Sequence, residues 1–290
     1  MPSLKEYKAK LASLANTRKM TKTMKMVAAS KLYRTMDAQR KALRYAEKLQ
    51  DMLGRLAASV DHRAHPLLQK RAEVKKSLVL VVMSDKGMCG GFNNNLIKHL
   101  LRWMQMPQQQ AKNFVFSFAG RRGWLFFRNR VAVHTHYDGI TQRPTPSDAL
   151  RIGTDLRKAF ISGEVDEVFV AFNHFNNPLS QRPVIRKLLP VEPHAIAVGE
   201  QLVNEDYILE PQQAELLKTL LPKIVDFEIY FSLLENAAGE NGARMTAMDS
   251  ATNNASKMIR TYTLLRNRAR QASITKELIE IVSGAEALKG

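Results

Sequence analysis

One cysteine, Cys89, occurs in 290 residues, which excludes an internal disulfide framework and any cysteine-rich metal site. Long apolar runs are missing as well. The longest, Leu78 to Met83, falls far short of the roughly 20 residues a membrane helix needs. The opening MPSLKEYKAKL has no apolar signal core, so the sequence reads as a soluble intracellular protein. Proline is absent from residues 3 to 60 and again after Pro222, which leaves two stretches free of the strongest helix breaker. There is no GxSxG, no HExxH, no paired CxxC and no carboxylate pair in a distinctive context. Catalysis by this chain alone is therefore not expected.

What is present is an ordinary globular composition, 45% apolar and 24% charged, with an extraordinary balance of 44 Lys and Arg against 27 Asp and Glu. The excess is concentrated. Residues 1 to 60 hold 14 basic and 4 acidic side chains, whereas 211 to 290 hold 10 and 9. Inside that balanced tail, residues 243 to 276 carry seven basic groups and a single acid, Asp249. Such stripes are the footprint of an acidic partner: nucleic acid, anionic lipid or an acidic protein surface.

The proline-free ends read as long helices. In the first, apolar residues recur at Leu4, Tyr7, Leu11 and Leu14, then at Met20, Met24 and Val27. From there Leu32, Met36, Gln39, Leu43, Ala46, Gln50, Leu53 and Ala57 alternate steps of four and three, a period close to 3.5. About 55 such residues would make a rod on the order of 80 Å, long enough to project from a small domain. In the last segment Met248, Ala251, Ala255, Met258, Tyr262, Leu265, Ala269 and Ala272 repeat at heptad spacing. The seam is rich in Ala and Met, which permits close approach but grips weakly. Antiparallel pairing of the two ends is the simplest expectation; the alternative is that each packs on a different partner.

Residues 75 to 210 have another texture. SLVLVVMSD, FVFSFAG, VAVHTHYDG and VDEVFVAFNHF read as strands, alternating with helices at NLIKHLLRWMQM, RRGWLFFRNR and PSDALRIGTDLRKAFISG, and RPVIRKLLPV adds a further strand. Alternation of this kind predicts an α/β domain with a mainly parallel sheet. The domain plan is 1–60 and 211–290 as terminal helices around a domain at 75–210. Gly87, Gly90 and Gly91 follow the first strand where a doubly wound fold can cradle phosphate, but GMCGGF matches no nucleotide fingerprint and a plain tight turn is the simpler reading. Cys89 reads as a buried structural thiol. His134 and His136, two apart on a strand, would share a face, yet no third ligand stands nearby, and neither metal nor cofactor is expected. Arg18, Lys19, Lys22, Lys25, Lys31 and Arg34 would suit a phosphate backbone, but with Tyr33 alone for stacking and Met20, Met24 and Met26 interleaved, a helix packed on protein fits equally well.

The two ends also carry a family signature. NTRKMTKTMKMVAASKL at 16–32, ARMTAMDSATNNASKMI at 243–259 and RARQASITKELIEIVSGAEAL at 268–288 resemble the terminal motifs of the gamma subunits of F-type ATP synthases, and SDKGMCGGFNNNL with AHPLL resembles their central domain. The resemblance implies a Rossmann-like central domain and a long antiparallel coiled coil that turns inside a ring of three alpha and three beta subunits. It implies a non-catalytic rotor that couples ion flow through a c ring to ATP synthesis or hydrolysis, with an epsilon subunit beside it. Contacts with beta would fall at Lys22, Met24, Lys25, Arg270, Gln271 and Thr275, and an apolar bearing at Ile281, Val282, Ala285 and Leu288. Membrane contact would come only through the c ring, at the cytoplasmic face of a bacterial inner membrane or the matrix face of a mitochondrial one. The alternative from composition is a basic coiled-coil protein that binds nucleic acid. ENAAGENGARM departs from the family in placing Gly239 and Gly242 inside a helix, where each costs about 1 kcal/mol of propensity and predicts a locally softer helix. Arg266 and Thr23 also depart from the common residues. No inserted cysteine pair is present, so the thiol regulation of chloroplast relatives is not expected.

Overall fold

The computed structural model describes residues 3–57, 65–192 and 213–287. Two compact units are present, one made of Met1–Ala28 with Met245–Gly290 and one of Ala29–Arg244. The long helices α1 (Leu4–Ala57) and α5 (Gln213–Ala287) each contribute to both.

In the larger unit the elements between them are β1 (Lys76–Val82), α2 (Phe92–Met104), β2 (Asn113–Ala119), α3 (Arg121–Phe127), β3 (Ala132–Tyr137), α4 (Pro146–Ile161), β4 (Glu167–Asn177) and β5 (Ser180–Leu189). The sheet order is β3-β2-β1-β4-β5. The first four strands are parallel, and β5 returns antiparallel to β4. Direction is the one property of RPVIRKLLPV that its composition could not give. The hairpin before it is set by Asn177, whose Oδ1 accepts from the amides of Leu179 and Ser180 at 2.9 Å each.

β1 is apolar throughout because both of its faces are buried. Leu78, Leu80 and Val82 point into a core shared with α4 and the first half of α5, including Ile152, Leu156, Leu221, Val225 and Leu233. Val79, Val81 and Met83 point the other way, onto Leu96 and Leu100 of α2 and an aromatic layer of Phe116, Phe118 and Phe127. α4 starts where its sequence dictates. Thr145 accepts from the Asp148 amide while Asp148 accepts from the Thr145 amide, and Pro146 occupies the first turn, where no N–H is required. The β2–α3 corner needs Gly120, whose φ is 102° and whose missing side chain leaves room for the Met83 carbonyl.

α5 begins before Pro222 and runs through it. The ring leaves the Lys218 carbonyl without its in-helix N–H donor, and Arg157 of α4 donates to the Pro222 carbonyl at 3.1 Å while also pairing with Asp226. Tertiary bonding thus anchors the turn that follows a residue unfavourable inside a helix. From Ser232 to Ala243 every residue of α5 is buried.

The heptad face of α1 differs from the expected one. In the larger unit Leu32 and Ala42 are buried, while Met36 and Leu43 are exposed. Gln39 is engaged as expected, with Glu235. Ala46, Gln50, Leu53 and Ala57 have side chains outside the described residues.

Candidate partner interface

The smaller unit is an antiparallel pair of helix segments. The Tyr7 ring meets that of Tyr262 at a tilt with centroids 6.3 Å apart, the Thr252 hydroxyl donates to Thr21 at 2.7 Å, and Lys25 reaches Asp249 at 2.6 Å. The line between the helices is made of small side chains: Ala28 and Ala255 are buried, with Met248 and Leu14 beside them. Met258 and Leu265 of the expected seam are exposed, Ala251, Tyr262 and Ala269 are partly covered, and Ala272 is exposed.

Three large apolar residues of α1 take the outer side. Met20 and Met26 are each 64% exposed and Val27 52%, interspersed with exposed Arg18, Lys19 and Lys22. This corrects the reading of Met20 and Val27 as seam residues, for Thr21 and Ala28 hold those places. Among the sequence-predicted contacts, Lys22 is exposed and Met24 half-buried; Lys25 is half-buried, its charge already answered by Asp249. Asp249 is the single acid of the basic stretch at 243–276, a signal that marks it for pairing without naming its partner.

Arg270, Gln271 and Thr275 are exposed, and the Thr275 hydroxyl turns back to the Gln271 carbonyl at 3.0 Å. All residues from Ile274 to Glu286 are exposed. They include Ile274, Leu278, Ile281 and Val282, between 49% and 67% accessible, and Ala285. Steps of four, three and four from 274 through 278 and 281 to 285 make an apolar stripe along one side of a single helix. Leu288 lies outside the described residues.

At the sheet's carboxyl end, the glycine turn after β1 is held by the chain's own groups. Asp85 accepts from the Arg121 amide at 3.1 Å and the Thr141 hydroxyl at 2.8 Å. The Arg244 guanidinium donates to the carbonyls of Lys86 and Gly87 and to Glu240. Cys89 is buried, and burial pushes its thiol above the ordinary value, which suits a packing role. His134 and His136 do not act as a pair. The β2–β3 register shifts between Phe116 and Ser117, which breaks the strict alternation; His134 lies 3.7 Å from Glu164, whereas His136 stacks on Trp124. Among the described residues no three His, Cys, Asp or Glu groups converge on a metal position, and no helix is long and apolar enough to cross a membrane.

An antiparallel pair of helices, one basic and methionine-studded and the other continuing into a bare apolar stripe, is an arrangement that comparison with known proteins can place. The family model described as ATP synthase matches residues 3–288. The ATP synthase gamma chain of Geobacter metallireducens is 43% identical over 290 residues, covering all of both chains, and that of Trichlorobacter lovleyi is 43% identical over 291. The chain belongs to the ATP synthase gamma-chain family. The fold agrees with chains of solved ATP synthase structures. A chain in the Euglena gracilis mitochondrial ATP synthase structure of OSCP, F1 and c ring gives a TM-score of 0.68 at 17% identity, covering 98% of this chain and 94% of that one. A chain of the central stalk and c ring of the Tetrahymena thermophila enzyme gives 0.59 at 21%, covering 80% and 99%. Within the gamma-chain family, the antiparallel terminal helices and the five-stranded sheet have one explanation, a subunit of an ATP synthase.

Proposed function

We propose that this family member is the central-stalk rotor of its ATP synthase and that its smaller unit turns within a ring of three alpha and three beta subunits. The observation that carries the reading is the run from Ile274 to Glu286, a helix with an exposed apolar stripe that nothing among the described residues covers. Such a stripe in water requires a partner. Ile281, Val282, Ala285 and Leu288 would form the bearing surface, and Arg270, Gln271 and Thr275 the contacts with beta. On α1, Lys22, Met24 and Lys25 would face acidic loops of beta, the half-screened Lys25 contributing less than Lys22. Exposed methionine and valine among the charges suit a protein surface better than a phosphate backbone, which has no use for them.

The mechanism is one of differential contact. Each ion crossing the membrane releases roughly 2.3 kcal/mol per elementary charge per 100 mV, and several such steps must be summed in the shaft before one ATP is made. A shaft that presents a different side to each of three identical catalytic sites gives them different conformations, and nucleotide binding pushes back on the shaft by the same linkage. The chain would perform no bond chemistry. The larger unit would sit with the epsilon subunit on the c ring, peripheral to the membrane, at the cytoplasmic face in a bacterium.

The test is truncation of residues 270 to 290 in the assembled enzyme. Coupled synthesis should be lost while the head still hydrolyses ATP. Full coupled synthesis by the truncated enzyme would overturn the assigned role of the tail.

A further inference from the structure

Within the larger unit the apolar hold on α1 is limited: Leu32 and Ala42 are buried, the intervening Met36 is exposed, and Tyr45 meets Phe227 of α5 in a tilted ring contact with centroids 5.8 Å apart. Smooth contacts of this sort are non-directional and leave the rotation of one helix against another weakly specified. At the same level lies a group of the opposite character. Glu235 is 1% exposed, and its carboxylate accepts from three donors on two other elements. The Gln39 amide of α1 reaches Oε1 at 2.8 Å; the Phe175 backbone amide of β4 reaches Oε2 at 3.0 Å, and the His174 ring bonds the same oxygen through Nδ1. The residues lie 196, 60 and 61 positions from Glu235 in sequence.

We infer that Glu235 is a positioning residue for torque, a buried clasp that fixes the angular register of α1 and α5 on the β4–β5 hairpin. The inference rests on the rotor reading. A carboxylate is costly to bury, and its best-attested use inside a protein is to specify register where apolar packing does not. Gln39 serves as its donor from α1, and His174 and Phe175 as its donors from the sheet. Under no load the apolar seam holds α1 in place. Under an opposing torque the non-directional apolar contacts yield first, and the directional bonds to Glu235 resist slip.

The experiment uses the complete enzyme in sealed vesicles, with ATP hydrolysis measured in the presence of uncoupler and ATP-driven ion pumping measured against a set membrane potential. Gln39→Leu should hydrolyse as the native enzyme does without load, while its pumping against a high opposing potential falls roughly tenfold, the factor lost with one hydrogen bond to a charged group. Gln39→Lys, which keeps a donor at the same reach, should recover pumping. His174→Leu cuts the clasp from the hairpin side and should repeat the loss without touching α1, so it decides the question if the Gln39→Leu chain does not assemble. Native pumping by Gln39→Leu or His174→Leu at every potential overturns the clasp, as does equal damage from Leu and Lys at position 39. Absence of pumping by the native enzyme would instead strike the rotor reading itself.

Discussion

Gly239 and Gly242 look like weak points in a helix until their surroundings are seen. A Cβ on Gly239 would stand 2.8 Å from Cε2 of buried Phe92, and one on Gly242 would stand 3.1 Å from the Pro178 Cα. Close approach, not turn geometry, requires these glycines. The sequence expectation of a softened helix omits this compensation. If propensity governed, Gly239→Ala would stabilise the chain by about 1 kcal/mol; packing predicts a loss of about 1–3 kcal/mol, read from urea unfolding. A neighbour in the same turn sets a pH dependence. Burial raises the Glu240 carboxyl above its ordinary value and Asp85 adds to the rise, against the opposing pull of Arg244 and Lys31. Between the ordinary and the raised value the folded chain therefore binds more protons than the unfolded one, and stability falls as pH increases through that window. Glu240→Gln should flatten the decline, with the two stability profiles drawing parallel in acid, where both side chains are neutral.

At the scale of elements, the strands and short helices of the central domain were legible because apolar runs alternate with amphipathic stretches, most plainly in the both-faces-buried run of β1; the antiparallel return of β5 was not, since it is set by the Asn177 turn and not by composition. Nor was the face of α1. Its covered positions are Leu4, Tyr7, Leu11, Leu14, Thr21, Lys25 and Ala28 in the smaller unit and Leu32, Gln39 and Ala42 in the larger, with small or polar residues among them in both. Following the largest apolar residues shifts the register to Met20, Val27, Met36 and Leu43, which face outward. Hydrophobic periodicity reports burial only when the buried side chains are the big ones; a helix that also docks on partners displays its big residues elsewhere. The same distinction sets the exchange behaviour of α5. Amides around Gly239 and Gly242, enclosed on every side, should exchange far more slowly than those from Ile274 to Glu286 in the isolated chain. Incorporation into the enzyme should slow the latter group selectively, as followed by hydrogen exchange with mass analysis.

For the whole molecule, the family was readable from its two terminal motifs and the contacts between them were not, since the Thr21–Thr252 and Lys25–Asp249 pairs depend on residues over 220 positions apart. The ion pair is half-exposed at both ends and contributes about 0.2–1 kcal/mol, screened by salt. The threonine pair offers a cleaner probe. Thr21→Cys with Thr252→Cys should oxidise to a disulfide without involving buried Cys89, and because both cysteines belong to the turning part, coupled synthesis should survive oxidation. Inhibition reversed by reductant would show instead that the two helices must move against each other during turnover.

α5 thus imposes opposite demands along its own length. Between Ser232 and Ala243 any added bulk has nowhere to go, whereas between Ile274 and Glu286 bulk is free and only water-seeking groups do harm, and only once the enzyme is whole. A saturation library of this helix would divide into lesions that deplete the subunit itself and lesions that leave its abundance untouched yet starve the cell of respiratory growth.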